Sequence, residues 1–268
     1  MWTIIAIILL VIILFLLALS GRGGKKRFKG LEGFDFAHRG LHKSGEIPEN
    51  STAAFALAIR QGYGIELDVH LLADGELAVF HDDTLVRMTG LEGKVKDLKR
   101  EDLANCCLEG SKWTIPTFSE VLNQVGGKVP LIIELKSEGN CEALCKAVAK
   151  ALRGYKGAYC IESFDPRVVF WFRKNRPEIT RGQLSKNFIK EPTEHKFPIR
   201  FMLTALLCNF LTNPDFIAYQ FSHRKDFCNM LATKLWRLQP VYWTIKNKRE
   251  EKYAKKEGAM IIFEDYLP

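Results

Sequence analysis

The chain has 268 residues, of which 47% are hydrophobic and 26% charged, and its formal net charge is +8. This composition is ordinary for a globular protein and excludes a disordered or fibrous one, while the length suits one catalytic-size domain. Half of the residues in 21–30 are Lys or Arg and follow an apolar stretch, which indicates anionic lipid headgroups as a partner. No nucleic-acid recognition motif supports the competing interpretation, and no protein partner can be inferred.

The first twenty residues predict a transmembrane anchor. Residues 3–19 are almost uninterrupted apolar, and roughly 18 residues at about 1.5 Å each reach about 27 Å, close to the thickness of a bilayer core. A cleaved signal peptide is the alternative, but no Lys or Arg precedes the apolar run. The basic residues after it, and seven cysteines without zinc-type spacing, favour a cytoplasmic domain. We therefore expect a single-pass membrane protein with an anchor over 1–20 and a basic linker over 21–33.

Residues 34–268 alternate short apolar runs with helix-like stretches, a pattern that predicts an α/β fold with a parallel (β/α)₈ TIM barrel. The expected strands cover 34–39, 65–69, 131–136, 158–164, 180–184, 216–220, 241–245 and 260–263. A further run over 77–81 follows the second strand too closely for a helical crossover. The turn signal Asp74-Gly75 therefore predicts an added β-hairpin that brings His81 roughly opposite Asp68. Capping residues predict helices over 52–61, from 117, over 143–152 and over 168–175.

His38 and Arg39 end the first expected strand. Active sites of barrel enzymes lie at the carboxyl ends of the strands. A histidine can exchange a proton near neutral pH, and an arginine can bind a phosphate through two hydrogen bonds. A loop with incidental charges is the alternative interpretation.

Glu66 and Asp68 lie two residues apart on an apolar strand, so both side chains point to one face. Two inward acids repel each other unless a cation joins them, and hard oxygen ligands favour Mg²⁺ or Ca²⁺ over zinc. Solvated carboxylates at a strand end are the alternative. His70 continues the alternation, but we interpret it as a loop histidine with satisfied hydrogen bonds beyond the strand end.

Glu134 and Lys136 end another apolar strand with the same two-residue spacing. Glu134 suits a third metal ligand and Lys136 a phosphate contact, unless the two form an internal salt bridge. His81, at the end of the hairpin run, places a second histidine near the acids. A displacement at phosphorus can use one histidine to take a proton and the other to give one. The combination is typical of metal-assisted cleavage of a phosphate ester.

These motifs resemble the signature of the glycerophosphodiester phosphodiesterase family. The resemblance runs from about residue 34 to the end and is more specific in its N-terminal half. The motifs are His38-Arg39-Gly40, Pro48-Glu49-Asn50-Ser51, Glu66-Leu67-Asp68-Val69, Asp74-Gly75, His81-Asp82, Glu134-Leu135-Lys136 and Ser163-Phe164-Asp165.

The resemblance implies a barrel enzyme of the phospholipase-C-like superfamily that cleaves glycerophosphodiesters into glycerol 3-phosphate and an alcohol. It implies one divalent metal ion, Mg²⁺ or Ca²⁺, and an attack by a free glycerol hydroxyl that gives a cyclic phosphate, later opened by water. By similarity, the metal ligands are Glu66, Asp68 and Glu134, the general acid and base are His38 and His81, and the phosphate or substrate contacts are Arg39, Lys136, Trp243 and Glu49.

Three positions depart from the family pattern. Ala73 and Ser51 each stand where the family commonly has Thr. The last strand ends in Glu264-Asp265 rather than Thr-Asp. None of these changes removes an expected catalytic group, but the altered last strand changes the expected substrate pocket.

Residues 197–211 are apolar nearly all round and too short to span a bilayer comfortably. We interpret them as a buried helix in a barrel crossover; an interfacial helix near the active-site mouth is the alternative. A soluble glycerophosphodiester is the leading substrate hypothesis, whereas the anchor and this apolar segment favour a membrane lysophospholipid as the alternative. A catalytically silent, membrane-bound protein that binds a phosphorylated ligand is a third functional hypothesis.

Overall fold

The computed structural model of the protein describes residues 1–23, 28–191 and 193–268. Its α-helices are α1 (Trp2–Ala18), α2 (Thr52–Gln61), α3 (Val86–Thr89), α4 (Phe118–Val125), α5 (Cys141–Ala151), α6 (Pro166–Asn175), α7 (Phe197–Thr204), α8 (Asn209–Thr212), α9 (Phe227–Met230) and α10 (Lys248–Lys256). Its strands are β1 (Phe36–Ala37), β2 (Gly64–Leu71), β3 (Leu77–Val79), β4 (Leu131–Leu135), β5 (Tyr159–Ser163), β6 (Arg181–Ser185), β7 (Phe216–Gln220), β8 (Gln239–Ile245) and β9 (Met260–Phe263). Lys25, Lys26 and Arg27 of the expected basic linker lie outside the described residues.

Eight parallel strands close into a barrel, which confirms the predicted fold. The order around the barrel is β1-β9-β8-β7-β6-β5-β4-β2, and pairing of β1 with β2 completes the circle. Helices follow most of the strands and cover the sheet, so strand residues are buried on both faces and appear in the sequence as apolar runs. The ninth strand, β3, pairs antiparallel with β2 as the predicted added hairpin.

Helix caps form where the sequence predicts them. The Ser51 side chain accepts a hydrogen bond from the Ala54 amide at the start of α2, and Gly62 ends that helix with a φ of 76°. A positive φ suits glycine because it has no Cβ. Thr117 and Asn140 cap α4 and α5 in the same way.

The hairpin register differs slightly from the prediction. Val69 pairs with Val79, so Phe80 rather than His81 stands opposite Asp68, and the Phe80 amide donates to the Asp68 carbonyl at 3.0 Å. The second strand is also longer than expected and includes His70, which is buried rather than part of a loop. Its Nε2 lies 3.3 Å from the His81 carbonyl oxygen, so His70 bridges the hairpin.

The predicted transmembrane anchor over 1–20, and with it the single-pass membrane localisation, is wrong. In the part of the chain that the structure describes, no helix is both long and apolar enough to cross a membrane. The apolar run forms the 17-residue helix α1. The helix ends against the barrel: Leu19 is buried, and the Trp236 Nε1 donates to the Leu16 carbonyl at 2.9 Å.

The apolar segment 197–211 is not the single buried helix that we expected. It divides into α7 and α8, and no residue of α7 is buried. Phe197 and Phe201 stack on each other and remain about half exposed. The buried positions of the segment follow α7, at Ala205, Leu206 and Asn209.

Candidate active site

A cavity of about 150 Å³ lies at the carboxyl ends of the barrel strands. Its lining residues are His38, Arg39, Glu66, His81, Glu134, Glu162, Phe164, Leu184, Trp243, Thr244 and Ile262. A larger cavity of about 590 Å³ lies at the opposite end of the barrel, and its described lining contains no histidine or carboxylate. The ionisable side chains expected to act in chemistry therefore meet in the smaller cavity, as barrel geometry requires.

Three buried carboxylates meet at this end of the barrel. Glu66 and Asp68 share the inner face of β2, and the register of β2 with β4 places Glu134 beside Asp68. One oxygen of each lies within 4.8 Å of the others, close enough to hold a metal ion. An all-oxygen set of this kind suits a hard divalent cation. The three carboxylates that the sequence predicted as metal ligands are thus brought together.

Burial and mutual repulsion oppose the ionisation of two carboxylates in this cluster. Burial and the charges of Asp68 and Glu134 hold the pKa of Glu66 well above its usual range. Burial likewise raises the pKa of Glu134 to about 7, although Lys136 opposes this shift. A divalent cation among these groups would favour their ionised forms.

Lys136 is the protein's own cation in this cluster. Its Nζ lies 2.9 Å from Asp68 Oδ1 and 2.8 Å from Glu134 Oε1. Although burial acts in the opposite direction, the positive charge of Lys136 leaves the pKa of Asp68 far below its usual range. The predicted salt bridge and the predicted acidic cluster therefore coexist.

His38 is held by a carboxylate that the sequence analysis did not assign to the site. Its Nδ1 lies 2.5 Å from Glu264 Oε2, and its Nε2 lies 4.0 Å from Glu66 Oε2. Burial lowers the pKa of His38, so the ring is neutral at pH 7. The hydrogen bond to His38 lowers the pKa of Glu264 to about 2, so that side chain is ionised and Nδ1 is the donor.

His81 has a corresponding carboxylate partner. Its Nδ1 lies 2.6 Å from Asp82 Oδ1, and Arg87 Nε donates to Asp82 Oδ2 at 2.5 Å. Burial lowers the pKa of His81 to about 4, although the charge of Asp68 partly opposes the shift. Both histidines of the cavity are therefore neutral at pH 7, with Nδ1 bonded to a carboxylate.

Arg39 has a strained backbone and a fixed side chain. Its φ is 55°, which is unusual for a residue with a Cβ, and its amide donates to Glu66 Oε2 at 3.0 Å. Its Nη1 donates to Glu49 Oε1 at 2.8 Å, and Arg87 Nη2 donates to the same oxygen at 2.7 Å. Glu49 thus supports Arg39, and among the described residues Arg39 Nε makes no hydrogen bond.

Trp243 lies in the wall of the cavity, on β8. Its ring meets that of Phe164 edge to face, with centroids 5.7 Å apart. Its indole Nε1 is buried and has no hydrogen-bond partner within the described ranges. Because buried indole N–H groups usually find an acceptor, this donor is available to a molecule in the cavity.

Sequence reasoning missed Glu162 and gave no role to Glu264. Glu162 pairs in register with Glu134 on the neighbouring strand and lines the cavity, and burial holds its pKa well above its usual range. Glu264 directly follows β9. Searching every strand end for acids would have found both, because inward positions at the carboxyl ends converge on one site.

Comparison with known proteins identifies the family of this chain. Residues 38–267 match the model of the "Glycerophosphoryl diester phosphodiesterase family". A glycerophosphodiester phosphodiesterase of Caldanaerobacter subterraneus is 37% identical over 169 residues, covering 58% of this chain and 68% of its own. Mouse lysophospholipase D GDPD1 is 34% identical over 133 residues, covering 45% and 41%. An Oleispira antarctica phosphodiesterase, solved in complex with the product sn-glycerol-3-phosphate, superimposes with a TM-score of 0.70 at 25% identity, covering 87% of this chain and 93% of its own.

Proposed function

The chain belongs to the glycerophosphoryl diester phosphodiesterase family, and we propose that His38 and His81 are the general acid and base of its reaction. The reaction is the hydrolysis of glycerophosphodiesters to glycerol 3-phosphate and an alcohol. One observation carries the assignment: two neutral histidines line the cavity of the acidic cluster, each with Nδ1 bonded to a carboxylate. This leaves Nε2 of each ring free to accept a proton, and the histidine that acts as general acid donates from Nε2 after taking up a second proton there.

We assign the metal to Glu66, Asp68 and Glu134, with Mg²⁺ or Ca²⁺ as the ion. Their oxygen-only chemistry and the raised pKa values of Glu66 and Glu134 fit a hard divalent cation. When bound, such an ion polarises a phosphoryl oxygen and neutralises developing negative charge. Residues 34–268 form the proposed catalytic domain.

The remaining side chains bind and orient the phosphodiester in this proposal. Arg39 and Lys136 present positive charge at the cavity, so they attract the phosphate and hold it against the acidic cluster. Glu49 keeps the Arg39 guanidinium in place. Trp243 offers its free N–H and its ring face to the glycerol part of the substrate.

The experiment that tests the proposal measures glycerol 3-phosphate release by the full chain from glycerophosphoethanolamine. Activity should disappear with EDTA and return with Mg²⁺ or Ca²⁺. It should also be lost in Glu66→Gln and in His38→Gln. Glu142→Gln is the matched control, because Glu142 is exposed on the outside of the barrel and, among the described residues, pairs only with Lys146. Binding without turnover in either metal would contradict the proposal.

A lysophospholipid is the second candidate substrate. The similarity to mouse lysophospholipase D GDPD1 favours it. The exposed rings of Phe197 and Phe201 on α7 also favour it. This helix lies beside the carboxyl end of β6, because the Ser185 hydroxyl donates a hydrogen bond to the Leu203 carbonyl in the last turn of α7. Turnover of lysophosphatidylcholine and of glycerophosphocholine, measured side by side, separates the candidates. Phe201→Ser should lower turnover of the lysophospholipid alone if acyl chains lie on α7.

A further inference from the structure

Glu264 occupies a place in the fold that fixes its carboxylate against His38. The His38 amide donates to the Phe263 carbonyl at 3.0 Å, and the Glu264 amide donates to the Ile245 carbonyl at 3.0 Å. The backbones on both sides of the pair are therefore tied to adjacent strands. The Glu264 side chain is one-fifth exposed, and its Oε1 lies 3.7 Å from Lys246 Nζ. The carboxylate is thus held on one side by a cation and on the other by the histidine ring.

The contact decides which ring nitrogen of His38 carries the proton. A carboxylate oxygen 2.5 Å from Nδ1 accepts a hydrogen bond, so the neutral ring carries its proton on Nδ1. The lone pair then lies on Nε2, on the side where Glu66 is 4.0 Å away. A free imidazole exchanges its proton between the two nitrogens, so the direction of proton transfer depends on this hydrogen bond.

We infer that Glu264 is the positioning residue of His38, and that its carboxylate holds the Nδ1 proton so that Nε2 faces the metal-binding carboxylates. The inference rests on the acid–base role proposed for His38. It concerns a residue of this chain that the family resemblance does not supply, since the family commonly has Thr there. Asp82 has the same relation to His81, which makes the two pairs chemically equivalent.

A metal ion held by His38, His42 and Glu264 is the rival explanation, because these side chains can also come within 4.8 Å of one another. Ligands about 2.0–2.1 Å from a tetrahedral ion lie roughly 3.3 Å apart. The Nδ1 and Oε2 atoms are only 2.5 Å apart, which is the distance of a hydrogen bond to a charged acceptor. The short distance therefore indicates a hydrogen bond from Nδ1 to Oε2 rather than a bound metal ion.

Kinetics of Glu264 variants test the inference in the full chain. Glu264→Ala should lower kcat about 10- to 100-fold, as loss of a residue that orients a site histidine typically does, while KM changes little. Glu264→Gln should retain more activity, because its amide oxygen can still accept from Nδ1. Asp265→Asn is the control: Asp265 follows directly, and the described ion pair of its side chain is with Lys246 rather than His38. A change in KM alone, or no change in kcat, overturns the inference.

Nitrogen-15 NMR of the six histidines provides a readout that does not depend on turnover. The His38 signals are identified by their loss in His38→Gln. Wild type and Glu264→Gln should show a protonated Nδ1, and Glu264→Ala should shift the proton toward Nε2. An unchanged tautomer in Glu264→Ala overturns the inference even if kcat falls. If wild type does not hydrolyse glycerophosphodiesters, the proposed function fails while the spectrum still decides the role of Glu264. If Glu264→Ala does not fold, Glu264→Thr replaces it in both measurements.

Discussion

The two histidine–carboxylate pairs reach the same geometry by different routes. His81 and Asp82 are neighbours in the sequence, so the local conformation after β3 brings them together. His38 and Glu264 are 226 residues apart, and only the pairing of β1 with β9 places them 2.5 Å from each other. One half of the proposed acid–base machinery is therefore local, whereas the other half exists only when the barrel is closed.

The pairs also differ in their surroundings. Arg87 makes two hydrogen bonds to Asp82, whereas Lys246 lies 3.7 Å from Glu264 without a hydrogen bond between them. The His81 side chain is 31% exposed and that of His38 only 15%. Substitutions that act on one pair and leave the other intact can therefore show which of these differences affects the reaction.

The largest expected effect comes from removing either histidine. His38→Gln and His81→Gln should each lower kcat about 10²- to 10⁴-fold, the usual contribution of a general acid or base. Because both act in one displacement, the double variant should fall little below either single variant. Steady-state kinetics with saturating Mg²⁺ measure this. If one single variant keeps near wild-type kcat, the two histidines do not form an acid–base pair.

Metal binding to the acidic cluster of Glu66, Asp68 and Glu134 should stabilise the folded chain. An ion that binds only the folded chain adds about 2.7 kcal/mol at a hundred times its Kd, so Mg²⁺ or Ca²⁺ should raise the Tm. Glu66→Gln should abolish this rise. In EDTA the same variant should be at least as stable as wild type, because it removes a carboxylate whose ionisation the site opposes. Thermal unfolding with and without metal measures both effects, and an equal metal-induced rise in the variant would contradict the ligand assignment.

Disturbing the pairing of β1 with β2 should affect the His38–Glu264 pair and leave the His81–Asp82 pair unchanged. A Cβ on Gly64 would lie 2.6 Å from the Phe36 ring, where β1 meets β2. Gly64→Ala should therefore cost about 1–3 kcal/mol of unfolding free energy, the usual cost of overpacking. NMR should show a shifted His38 and an unshifted His81. Gly75→Ala is the comparison for a glycine with free space around it, although its φ of 86° adds backbone strain. Equal changes in the NMR signals of His38 and His81 would show that both pairs depend on the pairing of β1 with β2.

The pH dependence of stability should show the smallest effect. The pKa of folded His81 is about 4, against an ordinary value of 6.5, so between these values the unfolded chain takes up a proton that the folded chain does not. The free energy of unfolding should fall as the pH drops from about 6.5 to about 4. The Glu264 pKa of about 2 predicts a second loss as the pH falls from about 4.5 to 2.

Urea unfolding in EDTA at several pH values measures these two windows. The drop between pH 6.5 and 4 should be smaller in His81→Gln than in wild type. In wild type, the fall in the free energy of unfolding should be smaller than the full pKa shift of His81 suggests, because solvent screens this partly exposed side chain. An identical pH profile in wild type and His81→Gln would contradict the assigned pKa of His81.

The apolar N-terminus and the segment 197–211 show where a sequence pattern stops being informative. Both are apolar on all sides, which leaves their environment undetermined. We expected a bilayer around the first and the protein core around the second. Among the described residues, the structure has no helix long and apolar enough to span a membrane, and α7 has no buried residue. Apolar composition predicted the helices but not what surrounds them.

The sequence by itself determined the barrel and most residues of the candidate site. Local patterns act within a few residues, and they predicted the strands 216–220 and 260–263 from their apolar runs. Turn residues likewise predicted the hairpin, and capping side chains predicted the helix starts. The spacing of Glu66 and Asp68 likewise depends only on the period of a strand. The Glu264–His38 contact and the pairing of Glu162 with Glu134 were decided by the tertiary structure alone. Only closure of the barrel brings the ends of distant strands together, and no local pattern records which residues then meet.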